Sequence, residues 1–194
     1  MRKIIGITGG IGSGKSVVSR ILRLKGYEVY DCDSQAKLLM DGSERTLSAI
    51  RSYFGDGAFN SDGSLCRTYL SARVFAHKNE LLFLNSLVHG EVLEDVRVHA
   101  AKEGDVLFVE SAIMRASGLD SLCAEVWIVT APDHIRAGRV VARDSISTDN
   151  VRSRMERQKG ECDFSESVEV RWIQNDGTVP LLPQVDRLLR DIGK

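Results

Sequence analysis

An apolar run, Lys3-Ile4-Ile5-Gly6-Ile7-Thr8, leads directly into Gly9-Gly10-Ile11-Gly12-Ser13-Gly14-Lys15-Ser16, which fills every fixed position of the pattern G-x-x-x-x-G-K-[ST]. The spacing has a physical cause. Glycines let the backbone curl so that successive N–H groups point inward at phosphate oxygens, Lys15 adds a mobile positive charge, and Ser16 supplies a hydroxyl for Mg2+. A helix must start here for its N-terminal N–H groups to add their partial positive charge. Val18, Ile21, Leu22 and Lys25 follow at helical spacing, so the motif reads as strand, loop and helix, with nucleotide triphosphate chemistry as its implication.

Further strand-like runs stand at Glu28–Tyr30, Val106–Val109, Val126–Thr130 and Arg171–Ile173, separated by helical pattern. The alternation predicts a five-stranded parallel sheet between helical layers, a three-layer α/β/α arrangement. Between the second and third runs lie about 75 residues of largely helical pattern, against the dozen or so that a simple crossover needs. Within them Leu81, Leu84, Val88, Val92 and Val96 step along one face as expected core, and Gly55 to Gly63 reads as a loop. The reading is one domain over 1–194, with a core of 1–32, 104–132 and 170–194, a helical substrate-binding insertion over about 33–103 and a helical lid over about 133–160. Leu181, Leu182, Val185, Leu188, Leu189 and Ile192 predict a closing amphipathic helix.

Composition narrows the function classes. The 26 basic residues nearly balance 27 acidic ones, which gives no electrostatic case for a nucleic acid or an acidic membrane surface. Cys32, Cys66, Cys123 and Cys162 form no C-x-x-C pair, so they are expected to be free thiols in a reducing cytoplasm. No apolar run approaches the roughly 20 residues that span a bilayer. Neither a D-x-x-G switch element nor an N-K-x-D guanine reader is present, which disfavours a GTP switch.

Tyr30-Asp31-Cys32-Asp33 places two carboxylates two residues apart at the end of the second strand, where alternation turns both to one side. They are candidates to orient an acceptor hydroxyl and to help hold Mg2+; the competing reading makes Asp33 the N-cap of the next helix. Glu110, at the end of Val106-Leu107-Phe108-Val109, either reaches Mg2+ through water or simply closes the strand. Arg136, Arg139, Arg143, Arg152, Arg154 and Arg157 crowd the stretch from Asp133 to Lys159, which reads as a lid delivering guanidinium groups to transferring phosphate oxygens.

With these pieces in order, the chain resembles the bacterial dephospho-CoA kinases nearly end to end. The resemblance rests on Thr8 through Ser16, Tyr30-Asp31-Cys32-Asp33, Leu87-Val88-His89, Arg139 through Arg143-Asp144 with Arg154 and Gln158, and Ile173-Gln174-Asn175-Asp176-Gly177. It implies ATP-dependent phosphorylation of the ribose 3′-hydroxyl of dephospho-CoA, with Mg2+. By that resemblance Gly10, Ile11, Gly12, Ser13, Gly14, Lys15, Ser16 and Val17 hold the phosphates, and Asn175 and Gly177 lie in the adenine-side loop. Asp33 is the expected base with Asp31 as runner-up, Arg139 and Arg143 are the expected lid arginines, and His89 is an expected substrate contact. No obligate protein partner is implied. Three positions depart from the family pattern: Val17 replaces a common Thr, Gly90 a common Pro, and Ala112-Ile113-Met114-Arg115-Ala116 stands where many members read Pro-Leu-Leu-Phe-Glu. A nucleoside monophosphate or shikimate-type kinase, or a non-catalytic ATP- and CoA-binding protein, remains the alternative.

Overall fold

Five parallel strands, β1 (Lys3–Thr8), β2 (Val29–Asp31), β3 (Val106–Glu110), β4 (Glu125–Thr130) and β5 (Glu169–Gln174), form one sheet in the order β2-β3-β1-β4-β5. The computed structural model describes residues 1–165 and 168–192; the last two residues of the expected core lie outside them. Each strand falls within two residues of its apolar run. β1 is central and almost wholly buried, which is why it is apolar on both faces instead of alternating. Its register sets Ile7 beside Glu110 of β3 and Thr8 beside Ile128 of β4. The phosphate loop therefore emerges at the carboxyl edge between two flanking strands, the place where open α/β sheets bind ligands.

Two compact units divide the chain, one of residues 1–31 with 99–194 and one of residues 32–98. In the first, α1 (Lys15–Leu24) and α8 (Leu181–Ile192) cover one sheet face. Val18 and Leu22 of α1 and Val185 and Leu188 of α8 join Ile5, Ile7, Phe108, Trp127, Val129 and Ile173 in one buried cluster. Each such side chain is worth about 1.5–3 kcal/mol when fully buried. Leu182, expected in the α8 stripe, is exposed instead. Met114 and Leu119, from the segment after β3, are buried as well, and Met114 lies against Gly6 of β1. The stretch expected as a lid forms α6 (Asp133–Asp144) and α7 (Thr148–Arg157).

The second unit holds α2 (Cys32–Gly42), α3 (Glu44–Phe54), α4 (Arg67–Ala76) and most of α5 (Lys78–Ala100). Its own core gathers Ile50, Phe54, Ala58, Leu65 and Leu70, and the Tyr53 and Phe83 rings stack at 3.8 Å. The Gly55–Gly63 loop contains a short helical turn, Asp56–Ala58, and a bridge between Phe59 and Leu65. Along α5 the expected stripe is buried at Val92 and Val96, but Leu81 is 40% exposed, so its outer end is surface rather than core.

One local expectation, and one competing reading, are corrected. α2 begins at Cys32, so Asp33 sits inside its first turn and is not the N-cap. Its charge there still favours the helix through the positive end of the macrodipole. β2 stops at Asp31, so Asp31 and Asp33 do not share a strand, and alternation does not relate their directions. None of the four cysteines forms a disulfide among the described residues.

Candidate functional site

The loop from Gly9 to Ser16 needs its carbonyls pointed outward if its amides are to face an anion, and outward carbonyls need donors of their own. Three side chains supply them. Arg136 Nε donates to the Ile11 carbonyl at 3.0 Å. Arg139 donates through Nη1 to the Gly12 and Ser13 carbonyls at 3.3 and 3.5 Å, and through Nη2 to the Asn175 carbonyl at 2.9 Å. Asn175 Nδ2 donates to the Ser13 carbonyl at 2.7 Å. Two glycines are required by this close packing: a Cβ on Gly12 would lie 2.4 Å from the Arg136 carbonyl oxygen, and one on Gly14 would lie 2.1 Å from Asn175 Nδ2, both at positive φ.

Asn175 is itself held from two directions. Its N–H donates to the Thr130 carbonyl at 2.8 Å, and buried Gln184 of α8 exchanges two hydrogen bonds of 2.9 Å with the Gln174 backbone, pinning the end of β5. Gly177 completes the turn at φ 90°.

Within the loop, Lys15 Nζ donates to the Gly9 carbonyl at 2.7 Å. α1 starts at Lys15 with no side-chain cap and no acidic residue in its first turn, so nothing in that turn offsets the positive end of its dipole. The Val17 N–H turns inward to the Gly14 carbonyl at 3.0 Å, and the Ser13 N–H goes to the Gly10 carbonyl at 3.1 Å. Ser13 Oγ is buried with no hydrogen-bond partner among the described residues, an orphan of the kind a bound ligand or water satisfies.

Beside the loop the strand ends carry two carboxylates. Asp31 and Glu110 are direct register partners on β2 and β3. Burial pushes the Glu110 carboxyl above its ordinary range, and the Asp31 charge adds to this; the Ser19 hydroxyl, Lys15 and Arg23 pull the other way. These oxygens and the Ser16 hydroxyl are the hard donors Mg2+ takes, and that ion is usually held by one or two carboxylates plus substrate phosphates. The residues present therefore fit it. No cluster of three or more acidic, histidine or cysteine residues that would make a self-sufficient metal cage exists among the described residues.

The sequence-predicted residues divide between the units. Lys15, Ser16, Asp31, Arg139, Asn175 and Gly177 belong to the first, while Asp33 and half-buried His89 belong to the second, on α2 and α5. Arg143 lies one turn beyond Arg139 on α6; its Nε and Nη2 donate to Asp144 at 2.7 and 3.1 Å, and its side chain is 63% exposed. Arg154 Nη1 shares the same carboxylate at 3.2 Å, tying α7 to α6. Gln158 is a loop contact that motif reading left without a role, and Arg136, expected only as one of the arginines of the lid stretch, contacts the loop backbone instead. The signal for Arg136 was its spacing, three residues before Arg139 and hence on the same helix face.

Comparison with known proteins agrees with this geometry. The family described as "Dephospho-CoA kinase" matches residues 3–180. A dephospho-CoA kinase of Porphyromonas gingivalis is 40% identical over 97% of this chain and 93% of its own length. A solved structure from Thermus thermophilus superimposes with a TM-score of 0.77 at 30% identity, covering 98% of this chain and 96% of that one. The dephospho-CoA kinase of Campylobacter jejuni has the same fold, with a TM-score of 0.69 at 22% identity over 99% and 98% of the two chains. A glycine-rich loop clamped by two arginines of α6 at the carboxyl edge of a five-stranded parallel sheet, together with a family match over nearly the whole sequence, leads to one conclusion: the chain belongs to the dephospho-CoA kinase family.

Proposed function

We propose that this protein transfers the γ-phosphoryl group of ATP to the ribose 3′-hydroxyl of dephospho-CoA, giving coenzyme A and ADP. The observation that carries the reading is the preorganised phosphate loop, with its carbonyls held outward by Arg136, Arg139 and Asn175 before any ligand is bound. Amides fixed in this way meet the phosphate charge without a reorganisation cost at the moment of transfer. In the reaction a bond forms between the 3′-oxygen and the γ-phosphorus, the bond from that phosphorus to the β,γ-bridging oxygen breaks, and the 3′-hydroxyl gives up its proton. Asp33 is assigned to take that proton. Chain connectivity keeps its Cα within about 7 Å of that of Asp31 at the sheet edge.

Lys15 and loop residues 10–17 are assigned to the phosphates, through amides other than those of Ile11, Ser13 and Val17, which bond within the protein; Asn175 and Gly177 are assigned to the adenine side, and residues 32–98, including His89, to the acceptor. Ser16 and Asp31, with Glu110 through water, would hold Mg2+, which when bound neutralises charge on the phosphates. A coupled ADP-release assay offering dephospho-CoA, nucleoside monophosphates and shikimate in parallel tests the reading. Turnover with dephospho-CoA is expected, and turnover only with one of the others would overturn it. No helix among the described residues is long and apolar enough to cross a membrane.

Arg143 is assigned to the transferring group, while Arg139, expected there too, has its guanidinium on the Gly12, Ser13 and Asn175 carbonyls and is assigned to positioning the loop. The two arginines lie four residues apart on the helix face that Arg136 also occupies, and Arg143 exchanges Asp144 for phosphate when the lid closes. Arg143→Lys keeps the charge and loses the planar fork, so turnover is expected to fall about tenfold or more. Arg152→Lys, on the groove between α6 and α7, is expected to leave it unchanged. Equal kinetics for the two variants would remove Arg143 from the site.

Glu110 links stability to pH. Its raised folded-state pKa means that the native protein holds the proton to higher pH than the unfolded chain does, so this group costs stability as pH rises above the ordinary carboxylate range. Glu110→Gln is therefore expected to melt at a higher temperature than wild type at neutral pH, with the gap closing toward about pH 4. The same substitution is expected to lower turnover about 10- to 100-fold, the range for an outer partner of a metal site. Melting curves across pH, paired with turnover at varied Mg2+, check both halves.

A further inference from the structure

The turn that follows α7 is hydrogen-bonded to the rest of its unit on two sides. On one side Gln158 Oε1 accepts the Ile11 N–H at 2.6 Å, while the Ile11 carbonyl accepts Arg136 Nε at 3.0 Å. Ile11 is thus gripped at both its backbone polar groups by side chains from the lid stretch. On the other side the Glu161 carboxylate accepts the N–H groups of Arg115 and Ala116, each at 3.2 Å, and Arg115 Nη1 donates to the Gly160 carbonyl at 3.1 Å. A hydrogen bond of 3.2 Å from Glu161 N–H to the Gln158 carbonyl closes the turn between the two.

The second contact falls on the segment where this chain departs from the family pattern. Ala116 stands where many members have an acid, and here a carboxylate arrives from Glu161 instead. Arg115, in place of the aromatic residue, clamps the carbonyl beside it. The two contacts join segments 147 and 45–46 residues apart in sequence, so neither is a by-product of local helix geometry.

We propose that Gln158 is a positioning residue of the phosphate loop, holding the Ile11 N–H so that the loop keeps its curl before ATP arrives, and that Arg115 and Glu161 are the anchor that keeps Gln158 in reach. The physical basis is preorganisation: a loop already held pays less ordering cost on binding. The proposal rests on the reading of the loop as the ATP site.

The test is Mg·ATP titration by calorimetry, with steady-state kinetics, on wild type, Gln158→Met, Glu161→Ala, the double variant and Lys159→Ala. Gln158→Met keeps the length and loses the acceptor. Its Kd and KM for ATP are expected to rise about 3- to 10-fold, the loss of one hydrogen bond, with kcat and the KM for dephospho-CoA within about twofold of wild type. Glu161→Ala is expected to move the same constants in the same direction. The double variant is expected to bind no more weakly than Gln158→Met alone, because the anchor acts only through Gln158. Lys159, whose Nζ pairs with Glu156 at 2.7 Å, is the control, and its alanine variant is expected to match wild type. If Gln158→Met fails to fold, Gln158→Asn, one methylene short of the contact, carries the same expectation. Wild-type ATP affinity in the Gln158 variants, additive losses in the double variant, or an equal loss in Lys159→Ala would overturn the proposal while leaving the ATP site intact. A wild-type protein that bound no Mg·ATP would overturn the ATP-site reading together with it.

Discussion

Turnover of the Lys15→Ala variant is expected to fall by about two to three orders of magnitude, the range for removing a preorganised donor from a developing negative charge. In the ligand-free structure the ammonium group rests on the Gly9 carbonyl at 2.7 Å, at the foot of the loop, and is among the charges that pull Glu110 down toward its ordinary carboxylate range. On the proposed assignment its strongest interaction is with phosphate oxygens whose charge grows during transfer, so the loss belongs in kcat as well as in ATP binding. Folding depends little on this side chain, because the loop carbonyls Ile11, Gly12 and Ser13 are held by other donors. The melting temperature should therefore stay close to wild type while activity collapses. Steady-state kinetics beside a thermal melt checks this, and near-normal turnover would remove the phosphate-loop assignment.

Asp33→Asn is expected to abolish nearly all turnover and leave ATP affinity close to normal. The substitution keeps the size and most of the hydrogen-bonding shape and removes only the charge that, on the proposed assignment, takes the 3′-hydroxyl proton, a contribution of about 10²- to 10⁴-fold for a general base. A structural role makes a different forecast. Asp33 lies in the first turn of α2, where a negative charge helps the helix by about 0.3–1 kcal/mol, so a purely structural Asp33 would show a slightly lower melting temperature and unchanged turnover. Measuring kcat, ATP affinity and melting temperature on the one variant separates the two, and a fully active enzyme would end the candidacy of Asp33 as the base.

What could be read from the chain alone has a common physical character: it is local. The strand-loop-helix at Lys3–Leu24 follows from glycine spacing and apolar periodicity, which act over a few residues, and the same holds for the five strand runs. The competing N-cap reading of Asp33 failed locally too, by a shift of two residues in where α2 begins, because a carboxylate serves as readily in a first turn as at a cap. The exposed Leu81 and Leu182 show the limit of periodicity, which assigns a residue to a face without saying whether anything covers that face.

Tertiary structure decided the partnerships. Asp31 and Glu110 are 79 residues apart in sequence and become register neighbours only because β2 pairs with β3; burial in the sheet, with a smaller push from the Asp31 charge, lifts the Glu110 pKa. Arg136, Arg139, Asn175 and Gln158 were visible as residue types, but their task of satisfying the backbone groups of the loop exists only once α6, the end of α7 and the end of β5 converge on it. A motif specifies which amides must face the phosphate; which side chains hold the opposite carbonyls depends on every element packed around the loop. No pattern along one stretch of chain contains that information.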